Sequence, residues 1–194
     1  MLATTSSVLL AGLSDPANHA VWGEFDGRYR PVIVAFATRL GFQPADADEL
    51  GQAALVRFAE EYRAGKYERE RGRLRAWIFG IARHCANEAR RDRARFADAR
   101  GESVLSQLEG DDELERCFDE EWRRALLRHA FAEVRATTKL DAQTIRVLEL
   151  LALEERPVAE VAAALGMTSG AVYTAKHRAL ASLKQVLAAF EQDW

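Results

Sequence analysis

The segment 157–178 restricts the fold of this chain more than any other part, because its pattern suits two short helices that meet at a steep angle. Pro157 stands at the start of the first helix, where its missing N–H is not needed. Ala162 is small where two such helices approach most closely, and Gly166 can adopt the positive φ of a tight turn. Thr168 can cap the second helix. We therefore predict a helix-turn-helix. Its small core comprises Val161, Leu165, Met167 and Val172.

The second helix of this motif carries mostly polar and cationic side chains away from that core. In a helix-turn-helix that reads DNA, the second helix lies in the major groove, with side chains near base edges and cations near phosphates. A helical hairpin that only packs against its neighbours is the alternative, because short alanine-rich hairpins are common. The candidate DNA-contacting residues are Ser169, Tyr173, Thr174, Lys176, His177 and Arg178.

Composition favours helices in the rest of the chain as well. The 194 residues include only 4 Pro and 12 Gly, and runs of Ala, Leu, Arg and Glu are good helix formers. Apolar residues make up 48% and charged residues 29%, which suits a soluble globular protein. Apolar side chains recur at helical spacing in 25–36, 50–58 and 74–82. We therefore predict an all-α protein.

The charges are segregated along the chain, although the formal net charge is only −3. Residues 63–95 hold 11 Lys and Arg against 4 Asp and Glu, whereas residues 98–121 hold 2 against 10. This asymmetry indicates that one segment meets a polyanion while the other stays solvated or meets a basic partner. A further hypothesis is that the acidic segment covers the basic one in the free protein.

The acidic segment also predicts the boundary between two domains. It contains Gly101 and Gly110 and few strongly apolar positions, which is typical of a linker. We therefore predict two small helical domains joined by an acidic linker. The predicted parts are a flexible arm at 1–20, a first domain at 21–96, the linker at 97–121 and a second domain at 122–194.

Several classes of protein find no support in the sequence. Cys85 and Cys117 are the only cysteines, and the apolar run 8–13 is short and lacks the preceding cations of a secretory signal. We expect free thiols in a reducing cytoplasm, and no apolar run is long enough to span a membrane. No metal-ligand spacing, paired carboxylates, nucleophile motif or phosphate loop is apparent. We expect no metal, no cofactor and no catalytic centre.

Two separate stretches resemble one family, the sigma-70 superfamily of RNA polymerase sigma factors. The sequence VAAALGMTSGAV at 161–172, followed by HRAL at 177–180, is similar to region 4 of that family. The sequence DADELGQ at 46–52 resembles the polymerase-binding helix of region 2, and LRAWIFGIAR at 74–83 resembles its promoter-melting helix. With these two regions alone, over about 21–96 and 122–188, the chain resembles the extracytoplasmic-function class.

The resemblance implies a role for each part of region 2. Its acidic helix docks on a coiled coil of the polymerase β′ subunit, although such a turn alone would simply favour a helix N-terminus. The stretch 63–95 binds the −10 promoter element and traps an extruded base, which needs an aromatic or apolar wall. The implied polymerase contacts are Asp46, Asp48, Glu49, Leu50 and Gln52. The implied −10 contacts are Tyr67, Arg73, Arg75, Arg83, His84, Arg90 and Arg91.

Trp77 and the arginines at 90–95 have other possible roles. Trp77 repeats with the apolar stripe of its helix, so we expect it in the core rather than as a stacking platform. The arginines at 90–95 would form only a solvated helix end if they did not meet phosphates. The chain also departs from the family pattern, with His84 where Asn is usual and Tyr173 where a basic residue is usual. Both departures concern which promoter bases are preferred.

The function implied by the resemblance is that of a non-enzymatic initiation factor in the cytoplasm. Such a factor binds the β′ and β subunits of core polymerase, recognises the −35 and −10 elements of promoter DNA and helps to melt it. The class also implies an anti-sigma protein as a partner. The alternative is a one-component helix-turn-helix regulator that acts without polymerase, but a regulator would more often carry a ligand pocket or dimer interface in place of residues 46–95.

Overall fold

The computed structural model describes residues 6–15, 17–68, 73–100 and 110–191, with side chains except at 6–8, 95–100 and 189–191. Every regular element among the described residues is an α-helix, which confirms the predicted all-α class. The helices are α1 (Ser6–Gly12), α2 (His19–Arg39), α3 (Pro44–Arg63), α4 (Leu74–Arg100), α5 (Asp111–Thr137), α6 (Ala142–Ala152), α7 (Val158–Leu165) and α8 (Ser169–Glu191).

The chain forms two compact units, as the sequence predicted. The N-terminal unit runs from Ser6 to Ala125, and the C-terminal unit begins at Leu126. The division therefore falls at residue 125, inside α5, and not at residues 121 and 122 where the sequence pattern predicted the end of a linker.

Aromatic side chains fill the core of the N-terminal unit. Phe25 of α2 stacks on Phe58 of α3, with ring centroids 4.6 Å apart, and both rings are buried. The two helices approach closely at Gly51, where a Cβ atom would lie 2.7 Å from a methyl group of Val34. A larger residue at Gly51 would therefore push α2 and α3 apart. The helix α4 adds Ile78 to this core, and the side chain of Ile78 is 2% exposed.

The start of the chain differs from the predicted flexible arm. Residues 6–12 form α1, and the side chains of Leu9, Leu10 and Leu13 are buried in the N-terminal core. Leu9 and Leu13 stand four positions apart, so one face of a short helix can bury both. Residues 1–5 lie outside the described residues.

The largest difference from the sequence prediction concerns the acidic linker. Residues 111–125, which we call the acidic half-helix, form the first half of α5 and pack on the N-terminal core. Leu114, Phe118 and Trp122 are its buried anchors, four residues apart, which is the spacing of one helix face. The high density of Asp and Glu on the other faces hid this apolar stripe in the sequence. Residues 101–109, also in the predicted linker, lie outside the described residues.

The C-terminal unit contains the predicted helix-turn-helix, formed by α7 and α8 and packed on α6. Gly166 ends α7 with φ 62°, and Met167 N donates to Ala162 O at 2.9 Å. Thr168 Oγ1 accepts from Ala171 N at 3.2 Å, which is the predicted cap. Within the predicted core, Val161 and Val172 are buried, whereas Leu165 and Met167 are half-buried against them.

Candidate nucleic-acid interface

The helix α8 has one buried side and one exposed side. Val172, Ala175 and Ala179 are buried, with spacings of three and four residues that keep them on one face. The exposed side carries five of the six predicted DNA-contacting residues, and the sixth, Lys176, is half-buried at its edge. Tyr173 is 58% exposed, a high value for a large aromatic side chain. The exposed residues are Ser169, Tyr173, Thr174, His177 and Arg178.

Two of these side chains also form contacts within the protein. Thr174 Oγ1 donates to Gly170 O at 3.0 Å, a local bond inside α8. Arg178 Nη2 donates to Thr144 Oγ1 of α6 at 3.3 Å. The pKa of Asp141, the residue that caps α6, is lowered by hydrogen bonds from the backbone and hydroxyl of Thr144, and the charge of Arg178 lowers it further. Arg178 therefore helps to orient α8 on α6.

A buried carboxylate joins α5 to α6 within the C-terminal unit. Glu149 is 6% exposed and accepts from Arg135 Nε at 2.7 Å and from Arg146 Nη1 at 3.1 Å. Burial by itself raises the pKa of Glu149, but the hydrogen bonds from both arginines outweigh burial and hold the pKa below its ordinary value. The sequence pattern gives no signal for Glu149, because its partners come from two different helices.

The predicted polymerase-contacting residues on α3 do not all lie on its surface. Leu50 is 4% exposed within the N-terminal core, so its place in the predicted contact set is corrected to a core position. Asp46 pairs with Arg93 of α4, and Asp48 Oδ2 accepts from Arg30 Nη2 at 2.8 Å. Both carboxylates therefore already tie α3 to neighbouring helices.

The other two members of that set line an open groove of about 780 Å³ beside α3 and α4. Glu49 and Gln52 form part of its wall, and Val56 is 53% exposed there. Val56 is not among the residues predicted from the sequence. It stands two positions before the buried Phe58 and so on the opposite side of α3. An apolar residue out of phase with the buried stripe is the signal that could have identified it.

An arginine and a thiol also line this groove. Arg57 donates to Glu61 Oε1 at 3.3 Å and to Glu88 Oε2 at 3.1 Å. Cys85 is a free cysteine, and burial raises the pKa of its thiol, which the charge of Arg57 only partly opposes. The groove therefore combines an apolar patch with paired charges of both signs.

Aromatic rings gather near the start of α4. Tyr67 stacks on Trp77 with ring centroids 4.9 Å apart, and Trp77 contacts Phe58 at 4.8 Å. Trp77 is half-buried against the core, in agreement with the expectation that it is a core residue. Tyr67 is thus held in place beside α4. Residues 69–72 lie outside the described residues.

The predicted −10 cations on α4 and directly before it fall into two groups. Arg73 and Arg91 are exposed, whereas Arg90 Nη2 donates to Leu40 O at 3.2 Å and so closes the end of α2. Arg83 Nη1 lies 2.7 Å from Asp111 Oδ2, and Arg75 pairs with Asp119. The partners of Arg75 and Arg83 follow from the packing of the acidic half-helix, which the sequence pattern did not predict.

The predicted −10 residue His84 also has an internal partner. His84 Nε2 lies 2.9 Å from Glu88 Oε1, one turn later on the same helix.

Among the described residues, no helix is long and apolar enough to cross a membrane, and no group of three or more His, Cys, Asp or Glu side chains is placed to hold a metal ion.

Comparison with known proteins identifies the family. Residues 26–96 match the family model for sigma-70 region 2, and residues 133–183 match the one for sigma-70 region 4. No curated protein matches the chain. Among solved structures, that of CnrH in complex with the cytosolic domain of CnrY is similar at 21% identity, with 95% of this chain and 97% of that chain covered and a TM-score of 0.38. On its two matching regions, the chain belongs to the sigma-70 family of RNA polymerase sigma factors, in the extracytoplasmic-function class.

Proposed function

We propose that this sigma factor binds core RNA polymerase, recognises the −35 and −10 elements of its promoters and assists DNA melting. The observation that carries the proposal is that one chain combines a region 4 helix-turn-helix with a region 2 domain. A regulator that acts without polymerase would need only the helix-turn-helix. Region 2 supplies the surfaces for polymerase and for the −10 element.

The −35 element is assigned to the exposed side of α8. An α-helix fits the major groove, where polar side chains reach base edges and cations reach phosphates. Tyr173 and His177 stand four residues apart on this side, and both are exposed. They are therefore the proposed base-reading pair, with Lys176 at the phosphates.

The −10 element is assigned to Tyr67 and the start of α4. A base that leaves the stack gains about 1–3 kcal/mol by stacking on an aromatic ring. Tyr67, held against Trp77, is the proposed wall for such a base. Arg73, directly before α4, is exposed and is the proposed phosphate contact on the separated strand.

Core polymerase is assigned to the groove beside α3 and α4. Interfaces gain most from buried apolar anchors surrounded by polar groups. Val56 is the exposed apolar anchor, and Glu49 and Gln52 are the polar groups near it. We also propose an anti-sigma protein that competes for this surface, as the class implies.

Transcription from sheared DNA of the source genome tests the proposal. Core polymerase is used with and without the protein, and RNA 5′ ends are mapped by sequencing. We expect a new set of start sites that depends on the protein, preceded by two shared sequence elements. If the protein binds duplex DNA tightly alone, never co-elutes with core polymerase and yields no new start sites, it is a one-component regulator and the proposal fails.

A variant of the groove sharpens this test. Val56→Asp places a charge at the proposed apolar anchor, and we expect co-elution with core polymerase to be lost while the fold is retained. Leu153→Asp is the matched control, because Leu153 is 43% exposed and belongs to the C-terminal unit, whereas the residues of the groove belong to the N-terminal unit. Equal loss with both variants would count against this docking site.

A further inference from the structure

The acidic half-helix lies along α4 and pairs with two of the arginines assigned to the −10 element. Arg75 pairs with Asp119, and its Nη2 lies 3.4 Å from Glu115 Oε1. Arg83 Nη1 lies 2.7 Å from Asp111 Oδ2. All of these residues belong to the N-terminal unit. The contacts therefore form within one compact body.

The pairs form a regular antiparallel ladder. Arg75 and Arg83 are eight residues apart on α4, and their partners Asp119 and Asp111 are eight residues apart in the reverse order on α5. A rise of 1.5 Å per residue separates the two pairs by about 12 Å on each helix. The spacing matches on both sides, so both ion pairs form together when the two helices lie side by side.

Apolar contacts between the two pairs hold the helices in this register. Phe118 of the acidic half-helix packs against Phe79 of α4, with ring centroids 5.3 Å apart, and against Phe36 of α2 at 5.4 Å. Phe118 is 0% exposed. On the α2 side, Arg39 Nη1 lies 2.5 Å from Glu120 Oε2 and adds a further ion pair. The carboxylates are thus positioned by a packed core rather than by their charge alone.

We infer that the acidic half-helix is an internal competitor for DNA phosphates on α4. The inference rests on the proposed −10 function of Arg75 and Arg83. A guanidinium binds a carboxylate and a phosphate through the same N–H donors, so one excludes the other. In the free protein, Asp111, Glu115 and Asp119 occupy those donors, and DNA gains them only by displacing the carboxylates. Arg73 and Arg91 stay exposed for a first contact.

Removing the carboxylates opposite Arg75 tests this competition in the free, full-length protein. Binding of Glu115→Gln/Asp119→Asn to a fluorescent, AT-rich single-stranded DNA of about 20 nucleotides, longer than a typical site, is measured by anisotropy. One additional phosphate contact steepens the logarithmic salt dependence by about 0.7, which is about a fivefold tighter Kd at 0.1 M salt. Circular dichroism checks that the helices remain.

A matched variant separates competition from net charge. Asp112→Asn/Glu113→Gln also removes two negative charges from the acidic half-helix, but from its first turn, where Glu113 pairs with Arg116 of its own helix. We expect this variant to gain little or no affinity for the DNA. We also expect that adding Arg75→Ala to Glu115→Gln/Asp119→Asn abolishes the gain in affinity. Equal gains from the two double variants, or no gain from either, would overturn the inference.

The proposed −10 function is tested separately in the holoenzyme. Arg75→Ala/Arg83→Ala is assayed for promoter opening by permanganate reactivity at the mapped start sites. If Arg75→Ala/Arg83→Ala loses promoter opening but Glu115→Gln/Asp119→Asn gains no DNA affinity in the free protein, the −10 function is supported and the competition is rejected. Normal opening would reject both, because the two arginines would then not be DNA contacts.

Discussion

At the residue scale, the charged side chains of this protein divide into those bound within the fold and those left exposed. Glu149 is buried between two arginines, whereas Glu154 is more exposed and pairs with the same Arg146 at 3.0 Å. Tyr173 and His177 face outward on α8. Stability and DNA recognition in the C-terminal unit therefore depend on different residues, and each can be tested by substitution.

Glu149→Ala should destabilise the C-terminal unit by about 1.5–3 kcal/mol, the usual value of hydrogen bonds to charged groups. Glu154→Ala, the exposed control, should cost less than about 0.5 kcal/mol. Urea denaturation and hydrogen exchange of peptides from α6 measure both. Similar losses for the two variants would mean that burial of Glu149 is unimportant.

Glu149 also predicts a pH dependence with a definite sign. Its pKa is lowered in the folded protein, so its contribution to stability is fully present above the pKa of an unfolded glutamate, about 4.3, and is lost as the pH falls through the lower folded value. Wild type should lose more stability than Glu149→Gln on acidification below about pH 4.3. If the unfolding free energies of the two proteins fell in parallel with decreasing pH, this prediction would be wrong.

Tyr173→Ala should weaken holoenzyme binding to promoters that carry the −35 element by about tenfold, within the usual 1–3 kcal/mol range of a base contact. Co-elution with core polymerase should not change. Gln185→Ala, also exposed but more than three turns further along α8, is the control and should bind as wild type does. Equal loss of promoter and polymerase binding would instead indicate damaged folding.

At the element scale, the turn between α7 and α8 depends on a single backbone conformation. Gly166 has φ 62°, and a Cβ atom added there would meet no atom within 4 Å. The turn therefore needs glycine for its left-handed backbone and not for space. Gly80, in an exposed helical position of α4, also has open space around it, but its backbone is ordinary helix.

The same substitution at these two glycines should consequently have opposite effects. Gly166→Ala should destabilise the protein by about 1–2 kcal/mol, because an L-residue is strained in the left-handed region. Gly80→Ala should stabilise it by up to about 1 kcal/mol, since alanine is the better helix former. Urea denaturation measures both. A neutral Gly166→Ala would show that the turn can relax.

At the scale of the whole molecule, the acidic half-helix belongs to the N-terminal unit. Phe118 and Trp122 contact each other at 5.8 Å, and Trp122 stacks on Tyr29 of α2 at 5.6 Å. A segment that the sequence pattern assigned to a linker thus completes the core of the N-terminal unit. The region 2 match ends at residue 96, well before these anchors.

A fragment of residues 1–125 should therefore be more stable than one of residues 1–96. The loss of Phe118 and Trp122 alone should cost at least about 3 kcal/mol, at 1.5–3 kcal/mol for each large buried side chain. Thermal melts by circular dichroism measure the difference. The stability of the longer fragment with Phe118→Ala/Trp122→Ala should fall towards that of the shorter fragment. Equal stability of all three proteins would place the end of the N-terminal unit at residue 96.

The sequence by itself determined the helical class, the two helical units and the helix-turn-helix. Each of these depends on neighbours along the chain: helical spacing of apolar residues, Gly166 at the turn and Thr168 at the cap. The match to regions 2 and 4 agrees with the resemblance read from residues 46–52, 74–83 and 161–180. The specific contacts assigned to these residues remain predictions.

Only the tertiary structure decided which side chains are available. Leu50 turned out to be core, Asp46 and Asp48 are paired, and Val56 is exposed. It also decided that residues 111–125 are a packed helix whose carboxylates meet Arg75 and Arg83. Such contacts join residues far apart in the chain, and they depend on how helices cross and in which register they lie. Local periodicity sets the faces of a helix, but long-range packing selects the partner for each face.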